Sequence, residues 1–400
     1  MRDGWVEATL RDALEPIANR PDGKDYPLVL SVTEKRGIIP QTEIFKHRIA
    51  TDDISKYKVL EPMDIAYNPY LLWCGAIGQW QGSEAGVVSP VYECFRVKSN
   101  CEPRYLGYIF ETGILTSYFD ALAIGSIVRR RRTIPSDFIA APVQLPPLPE
   151  QKRIVDLISS VDSYIEALQQ QLVSAKRSRN AVLHELLTAG GDDWVETTLG
   201  EITDLVRGPF GGSLKKEIFV QEGFAVYEQQ HAIYGDFSTI RYRISSQKFD
   251  EMKRFSLQPG DLIMSCSGTM GKVRIVPKDA APGIINQALL KIKPKLNLIS
   301  NFLFLWMQSD DFIRQIEMNS GGGALQNVSS VKMLKGIKLV VPALVEQERI
   351  IEIISTIDEV KIKTELAIDE IKNLRSGLLS DLLSGTHEIP ASYDKVMGAA

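Results

Sequence analysis

The densest run of chemically active side chains is Arg129-Arg130-Arg131-Arg132-Thr133. Four adjacent guanidinium groups repel one another unless an anion sits opposite. The run therefore reads as a phosphate contact, with a solvated basic loop as the plainer alternative. A second set, Glu228-Gln229-Gln230-His231, brings amides and an imidazole to the end of an apolar stretch, where Gln suits bidentate contact with adenine. Lys215, Lys216 and Lys272 are candidates to position a nucleic-acid backbone, and Asn286, Gln287, Gln326 and Asn327 are further candidate base readers. In the first half of the chain Lys35, Arg36, Asn68 and Tyr70 are weaker candidates. Each of these taken alone reads first as an ordinary surface residue. Together they suit double-stranded DNA better than covalent chemistry.

The motifs that would signal covalent chemistry are incomplete. Asn68-Pro69-Tyr70 is one proline short of the Asn-Pro-Pro-Tyr tetrapeptide with which DNA amino-methyltransferases hold a target amine, and no glycine-rich loop for a methyl donor accompanies it. It reads as a turn between two strands. In Ser267-Gly268-Thr269-Met270-Gly271-Lys272 the spacing from Gly268 to Gly271-Lys272 is too short to wrap phosphates, so a turn carrying a basic residue is expected. The histidines His47, His184, His231 and His387 are scattered, and the cysteines Cys74, Cys94, Cys101 and Cys266 lack CxxC spacing. No metal site, triad or bound cofactor is expected, and the thiols read as buried and free. The chain is read as a non-enzyme.

Composition sets the outer limits. The 400 residues are 44% hydrophobic and 24% charged, which gives a globular protein with room for two or three domains. A net charge of −4 does not announce a nucleic-acid binder, so any such binding must come from local patches. The start Met1-Arg2-Asp3-Gly4-Trp5 is polar and no apolar run approaches the length of a membrane span, so a cytoplasmic location is expected.

The elements that must position the polar loops are organised by a repeat. Glu150-Gln151-Lys152-Arg153-Ile154 and Glu346-Gln347-Glu348-Arg349-Ile350 open two segments that align without a gap at an offset of 196. Proline-bearing turns precede them and Gly190 and Gly385 follow them, as at helix starts and ends. Ile154, Ile158, Val161, Ile165, Leu168 and Leu172 alternate in steps of four and three, the seam of a coiled coil. Ala175, Val182 and Leu186 continue it, interrupted by Arg179. The second copy has Ile350, Ile354, Ile357, Ile368, Ile371 and Leu378, but Lys361 and Thr364 mid-seam and Arg375 in place of Arg179, so its middle should pack less well. About 40 helical residues span roughly 60 Å, a ruler rather than a core element.

The repeat extends outward. Trp5-Val6-Glu7 returns as Trp194-Val195-Glu196, Leu60-Glu61-Pro62-Met63-Asp64 as Leu257-Gln258-Pro259-Gly260-Asp261, and Gly86-Val87-Val88 as Gly283-Ile284-Ile285. If the repeat is structural, Trp5 should sit beside the end of the second helix near Gly385. Short Val-, Ile-, Tyr- and Phe-rich strands with one apolar helical stretch per domain, at about 103–120 and 299–318, give an α+β class. The partition is 1–146, first mixed domain; 147–190, long helix; 191–341, second mixed domain; 342–385, long helix; and 386–400, tail.

The doubled pattern of proline turn, Glu-Gln, Arg-Ile and long helix ending in Leu186-Leu187 or Leu382-Leu383, with Leu-x-Pro-x-Asp in each preceding domain, resembles the DNA-specificity subunit of type I restriction-modification systems. The resemblance implies two tandem target-recognition domains, each binding half of a split DNA sequence, separated and joined by an antiparallel coiled coil with an internal pseudo-two-fold repeat. It further implies two methyltransferase subunits as partners and, in the restricting complex, translocase-nuclease subunits. S-adenosylmethionine, Mg2+ and ATP would then be bound by those partners. The alternatives are a self-contained DNA methyltransferase, disfavoured by the incomplete motifs above, and a coiled-coil adaptor that touches only protein.

Overall fold

The computed structural model describes residues 4–45, 53–125, 131–210, 212–319 and 331–396. Its two longest elements are helices of 41 residues, Leu148–Thr188, and 40 residues, Leu344–Leu383. Both are followed by glycines in the left-handed region, Gly190 (φ +70°) and Gly385 (φ +72°), where a side chain would be strained. The chain forms two compact units. One holds residues 1–169 and 366–400, the other 170–365, so each takes half of each long helix.

In the first unit the lead strand Val6–Thr9 pairs antiparallel with Pro142–Leu145, which feeds the first long helix. A four-stranded antiparallel sheet runs in the order Leu14–Ile17, Glu93–Val97, Ile65–Tyr67, Ile77–Gln79. The helix Pro103–Glu111 supplies Tyr105, Leu106 and Tyr108 to a core that also takes Ile154 and Ile158 from the first long helix and Leu379, Leu382 and Leu383 from the second. A Cβ placed on Gly385 would lie 3.6 Å from the Trp5 ring, so the lead strand does begin beside the end of the second long helix.

The second unit repeats this plan. Val195–Thr198 pairs with Lys338–Val341, and the equivalent sheet runs Thr203–Arg207, Leu289–Pro294, Leu262–Ser265, Val273–Ile275. Its core joins Phe302, Leu303 and Trp306 of the helix Ser300–Trp306 to Ile350, Ile354 and Leu183 of the long helices. Burying each large aliphatic is worth roughly 1.5–3 kcal/mol before entropic costs, which is why the seam residues at the ends of the long helices are also domain-core residues. The apolar stretches read as single helices at 103–120 and 299–318 are each two, with turns after Glu111 and Trp306.

The repeated motifs have physical roles. Gln151 accepts from the Glu102 backbone N–H (2.9 Å) and donates to the Pro146 carbonyl (2.9 Å); Gln347 accepts from Ile299 N–H (2.9 Å) and donates to Pro342 (2.9 Å). Each glutamine thus clamps its long helix to the start of its domain helix, with little or no solvent exposure. Asp64 and Asp261 close the Leu-x-Pro-x-Asp turns by accepting from Glu61 N–H and Gln258 N–H at 2.9 Å. The turn needs a positive φ, met by Gly260 (+88°) in one copy and, at a strain cost, by Met63 (+70°) in the other.

The two arginines that interrupt the seam cross it. Arg179 forms two hydrogen bonds to Asp358 (2.8 and 2.9 Å), and Arg375 does the same to Asp162. The four residues interchange under the 196 offset, and the pairings run antiparallel. Among the mid-seam positions Ile165 and Ile368 are buried, while Leu168, Leu172, Lys361 and Thr364 are half-buried, so the middle is the less packed part in both helices. Leu379 is fully covered, with Leu378 packed at the margin.

The Arg179–Asp358 bridge makes stability depend on acid. Burial pushes the Asp358 carboxyl up, but hydrogen bonds from Arg179 and Lys361 outweigh it and hold the group below its ordinary value. A folded-state pKa below the unfolded one stabilises above the ordinary carboxylate range, and that contribution disappears as pH falls through the lowered value. Asp358→Asn should therefore melt lower than the wild type at pH 7, with the gap closing below about pH 4, as thermal melts across pH will read.

Candidate nucleic-acid interface

In the second unit Phe224–Tyr227 runs parallel to Gly283–Ile285, so both strands deliver their following loops to one edge. Glu228-Gln229-Gln230 emerges there beside Asn286-Gln287, and Asn286 N–H donates to the Tyr227 carbonyl at 2.9 Å. The turn between Leu262–Ser265 and Val273–Ile275 joins them, because Gln229 Nε2 donates to the Ser267 carbonyl and, at 3.4 Å, to that of Thr269. Ser265 Oγ closes this turn from within, donating to Thr269 O (2.6 Å) and accepting from Lys272 N–H (3.0 Å). A fourth segment reaches the same place through Gly208, where a Cβ would stand 1.8 Å from the Asn286 carbonyl oxygen; only glycine permits that approach.

Within this cluster Gln230, Gln287 and Lys272 are exposed, as are Lys215 and Lys216 farther along the segment that follows Gly208. His231 is not a reader. It is 0% exposed, its Nδ1 accepts from Glu228 N–H (2.9 Å) and its Nε2 donates to the Thr239 carbonyl (3.1 Å). The tetrapeptide looked like a strand end, whereas Gln229–Tyr234 is a helix whose third residue turns inward to cap it. Gln229 and Asn286 are engaged in holding loops, Asn286 Oδ1 accepting from Ala288 N–H at 3.0 Å.

The first unit presents the corresponding loops. The turn 34–36 between Leu30–Thr33 and Gly37–Pro40 exposes Lys35 and Arg36, the latter paired with Glu43. The loop after Ile65–Tyr67 is folded by Asn68 Oδ1, which accepts from Tyr70 N–H (3.1 Å). Thr133 N–H donates to the Pro69 carbonyl (3.0 Å), bringing the basic segment alongside. Arg132 lies over the Tyr70 ring at 5.7 Å and Arg131 over Trp73 at 5.0 Å. Arg131 already has its anion: Nη1 bonds Asp120 at 2.5 Å, so of the described pair Arg132 is the one more open to a phosphate. Arg129, Arg130, Gln326 and Asn327 lie outside the described residues. Beneath this loop the Tyr67 and Thr133 hydroxyls are buried without a hydrogen-bond partner among the described residues, a desolvation cost of about 1–3 kcal/mol each.

An open groove of about 440 Å³ in the first unit and one of about 800 Å³ in the second run beside these loops, lined at equivalent positions by Gly75, Ile77 and Phe110 and by Gly271, Val273 and Met307. Sequence reading did not single out Trp73, nor Phe210, 91% exposed on a loop of the second unit, nor Tyr234, 78% exposed at the end of the helix Gln229–Tyr234. Phe210 lies in Gly208-Pro209-Phe210-Gly211-Gly212, and an aromatic among turn residues was the signal available. Burial pushes the Cys74 and Cys266 thiols up to about 11 and Cys94 to about 12, which keeps them protonated near neutral pH. Among the described residues no His, Cys, Asp and Glu cluster could hold a metal ion, and no helix is long and apolar enough to cross a membrane.

If Lys272 contacts a phosphate, Lys272→Ala should weaken DNA binding evenly across sequences and lower the slope of log affinity against log salt by about 0.9. Fluorescence anisotropy at several salt concentrations reads this directly. An unchanged slope places Lys272 off the DNA.

A protein-family model described as the type I restriction modification DNA specificity domain matches residues 191–373. The putative type I restriction enzyme MjaX specificity subunit of Methanocaldococcus jannaschii is 23% identical over 413 residues, covering 96% of this chain and 93% of that protein. The EcoBI specificity subunit of Escherichia coli is 24% identical over 300 residues, 63% of each chain. Two solved structures share the fold. The HsdS subunit from Thermoanaerobacter tengcongensis has a TM-score of 0.51 at 19% identity, covering 96% of this chain and 98% of that one. The S subunit from M. genitalium has a TM-score of 0.52 at 15% identity, covering 95% and 96%. The matched segment is the second repeat with most of its long helix, the first repeat carries the same sheet order, glutamine clamp and seam arginine, and the chain is similar over nearly its whole length to a specificity subunit of a type I restriction enzyme.

Proposed function

We propose that this chain is the non-catalytic DNA-recognition subunit of its complex, each mixed domain binding one half of a bipartite target and the paired helices fixing the spacer. The observation that carries this reading is that two units with the same four-stranded sheet order each present polar loops beside a groove at equivalent positions. Two divergent readers on an invariant frame suit a split target with two different halves. The loops offer amides for base edges and cations for phosphates, and the frame offers repeated helical surface for two methyltransferase subunits. In a restricting complex translocase-nuclease subunits join them. S-adenosylmethionine, Mg2+ and ATP belong to those partners, and the assembly works in the cytoplasm.

The test is methylation mapping in cells that express this chain with its cognate methyltransferase. A single split motif with a fixed spacer is expected. Unchanged methylation would overturn the reading, and labelled S-adenosylmethionine bound by the purified chain alone would favour a self-contained methyltransferase.

A further inference from the structure

The seam arginines do more than pair the helices. Arg375 bonds Asp162 on the first long helix and also reaches out of the seam, its Nη1 lying 2.8 Å from Glu111 Oε1 at the end of the domain helix Pro103–Glu111. The guanidinium sits 5.6 Å over the Tyr108 ring, whose hydroxyl is bonded to Ser159 on the first long helix. In the second unit Arg179, bonded to Asp358, donates through Nη2 to Gln308 Oε1 at 3.1 Å, two residues past the end of Ser300–Trp306. Glu111 and Gln308 are equivalent under the repeat, at an offset of 197. Both copies thus use one largely covered arginine to tie three elements: its own long helix, the other long helix and the domain helix. Burial opposes the charge on Arg375, but Asp162 and Glu111 outweigh it and raise its pKa, so the guanidinium stays charged.

A guanidinium is suited to this because its planar fork fixes direction as well as distance. The glutamine clamps hold the start of each domain helix and the arginines hold its end. Two attachment points fix an orientation, which one does not. Glu111 also borders the groove beside the candidate DNA loops, as does Gln308. We infer that Arg375 with Glu111, and Arg179 with Gln308, are positioning residues that set the angle of each recognition domain on the helical frame and so restrict the complex to one spacer length between half-sites.

The inference rests on the recognition reading above, and its test separates the two. The full chain is expressed with its cognate methyltransferase and methylation is mapped for the wild type, Glu111→Ala, Gln308→Ala and Glu111→Gln. The alanine variants leave the cross-seam pairs intact and remove the domain's end of the tie; Glu111→Ala also releases Arg104, paired with Glu111 at 3.3 Å on the same helix, a pair that Gln308→Ala does not touch. They should keep both half-sequences, lose roughly tenfold in methylation at the native spacing relative to spacers about one base pair longer or shorter, and melt within a few degrees of the wild type. Glu111→Gln, which gives the first unit the chemistry of the second, should retain the native spacing. Alanine variants with an unchanged spacer distribution would overturn the inference and leave the arginines a purely structural role. A uniform rise in DNA affinity with unchanged spacing would also overturn it, since it would mark Glu111 as a repulsive groove wall. A wild-type map with no split motif overturns the recognition reading itself.

Discussion

A chain truncated after Gly190 is expected to dimerise and to direct methylation to an inverted repeat of the first domain's half-sequence. Truncation removes Leu379, Leu382 and Leu383 from the first unit's core and leaves Ile154 and Ile158 uncovered on one side. The missing residues have counterparts at the 196 offset in Leu183, Leu186 and Leu187, which a second copy of the fragment carries at the end of its own long helix. Arg179 of that copy replaces Arg375 opposite Asp162, so the ionic tie is restored as well. Each large aliphatic left exposed forgoes roughly 1.5–3 kcal/mol, which favours association at micromolar concentration. Sedimentation should show a dimer, and two identical domains related by a two-fold axis require a palindromic target. Charges at Ile158 and Leu172 should abolish both dimer and binding. A fragment that stays monomeric yet supports methylation of the original asymmetric site contradicts the scheme.

What could be read before any coordinates follows from how many positions carry each signal. The long helices were legible because their seams run over many turns and occur twice, and the gapless offset of 196 ties one copy to the other. The same offset held information that periodicity hides. Arg179 and Arg375 read as defects in a seam, yet Asp162 and Asp358 are related by the same 196 residues, so the reciprocal ion pairs were written in the sequence for a reader who paired the defects. The polar loops were legible only as composition. Gln229 and Asn286 are of types that can read bases and lie in the candidate cluster, but their hydrogen bonds hold neighbouring loops, and His231 is sealed inside. A residue's type does not tell whether its polar atoms face the loop or the solvent. That depends on partners such as Ser267 and Thr239, distant in sequence from what they touch. Trp73 and Phe210 were passed over because isolated aromatics in loops carry no period.

Lengthening both helices should lengthen the target. Insertion of seven residues near Gln170 and seven near Ala367 falls in the half-buried middle of the seam, away from the domain-core positions Ile158, Ile354, Leu183 and Leu379. One heptad keeps the a and d positions in phase, so the pairs Arg179–Asp358 and Arg375–Asp162 should form on either side of the insertion as before. Seven residues add about 10 Å, or roughly three base pairs at about 3.4 Å each. Because DNA turns once in about 10.5 base pairs, three more also rotate the distal half-site by roughly 100° about its axis, whereas a heptad barely rotates the helix pair. The DNA must absorb that difference as twist. Methylation mapping should therefore show the same two half-sequences, a spacer longer by about three base pairs, and a lower methylation rate than the wild type. Insertion into one helix alone should instead break the register, expose the seam and abolish methylation. An unchanged spacer in the double insertion would mean that the helices do not set the distance, and altered half-sites would mean that the domains are not independent readers.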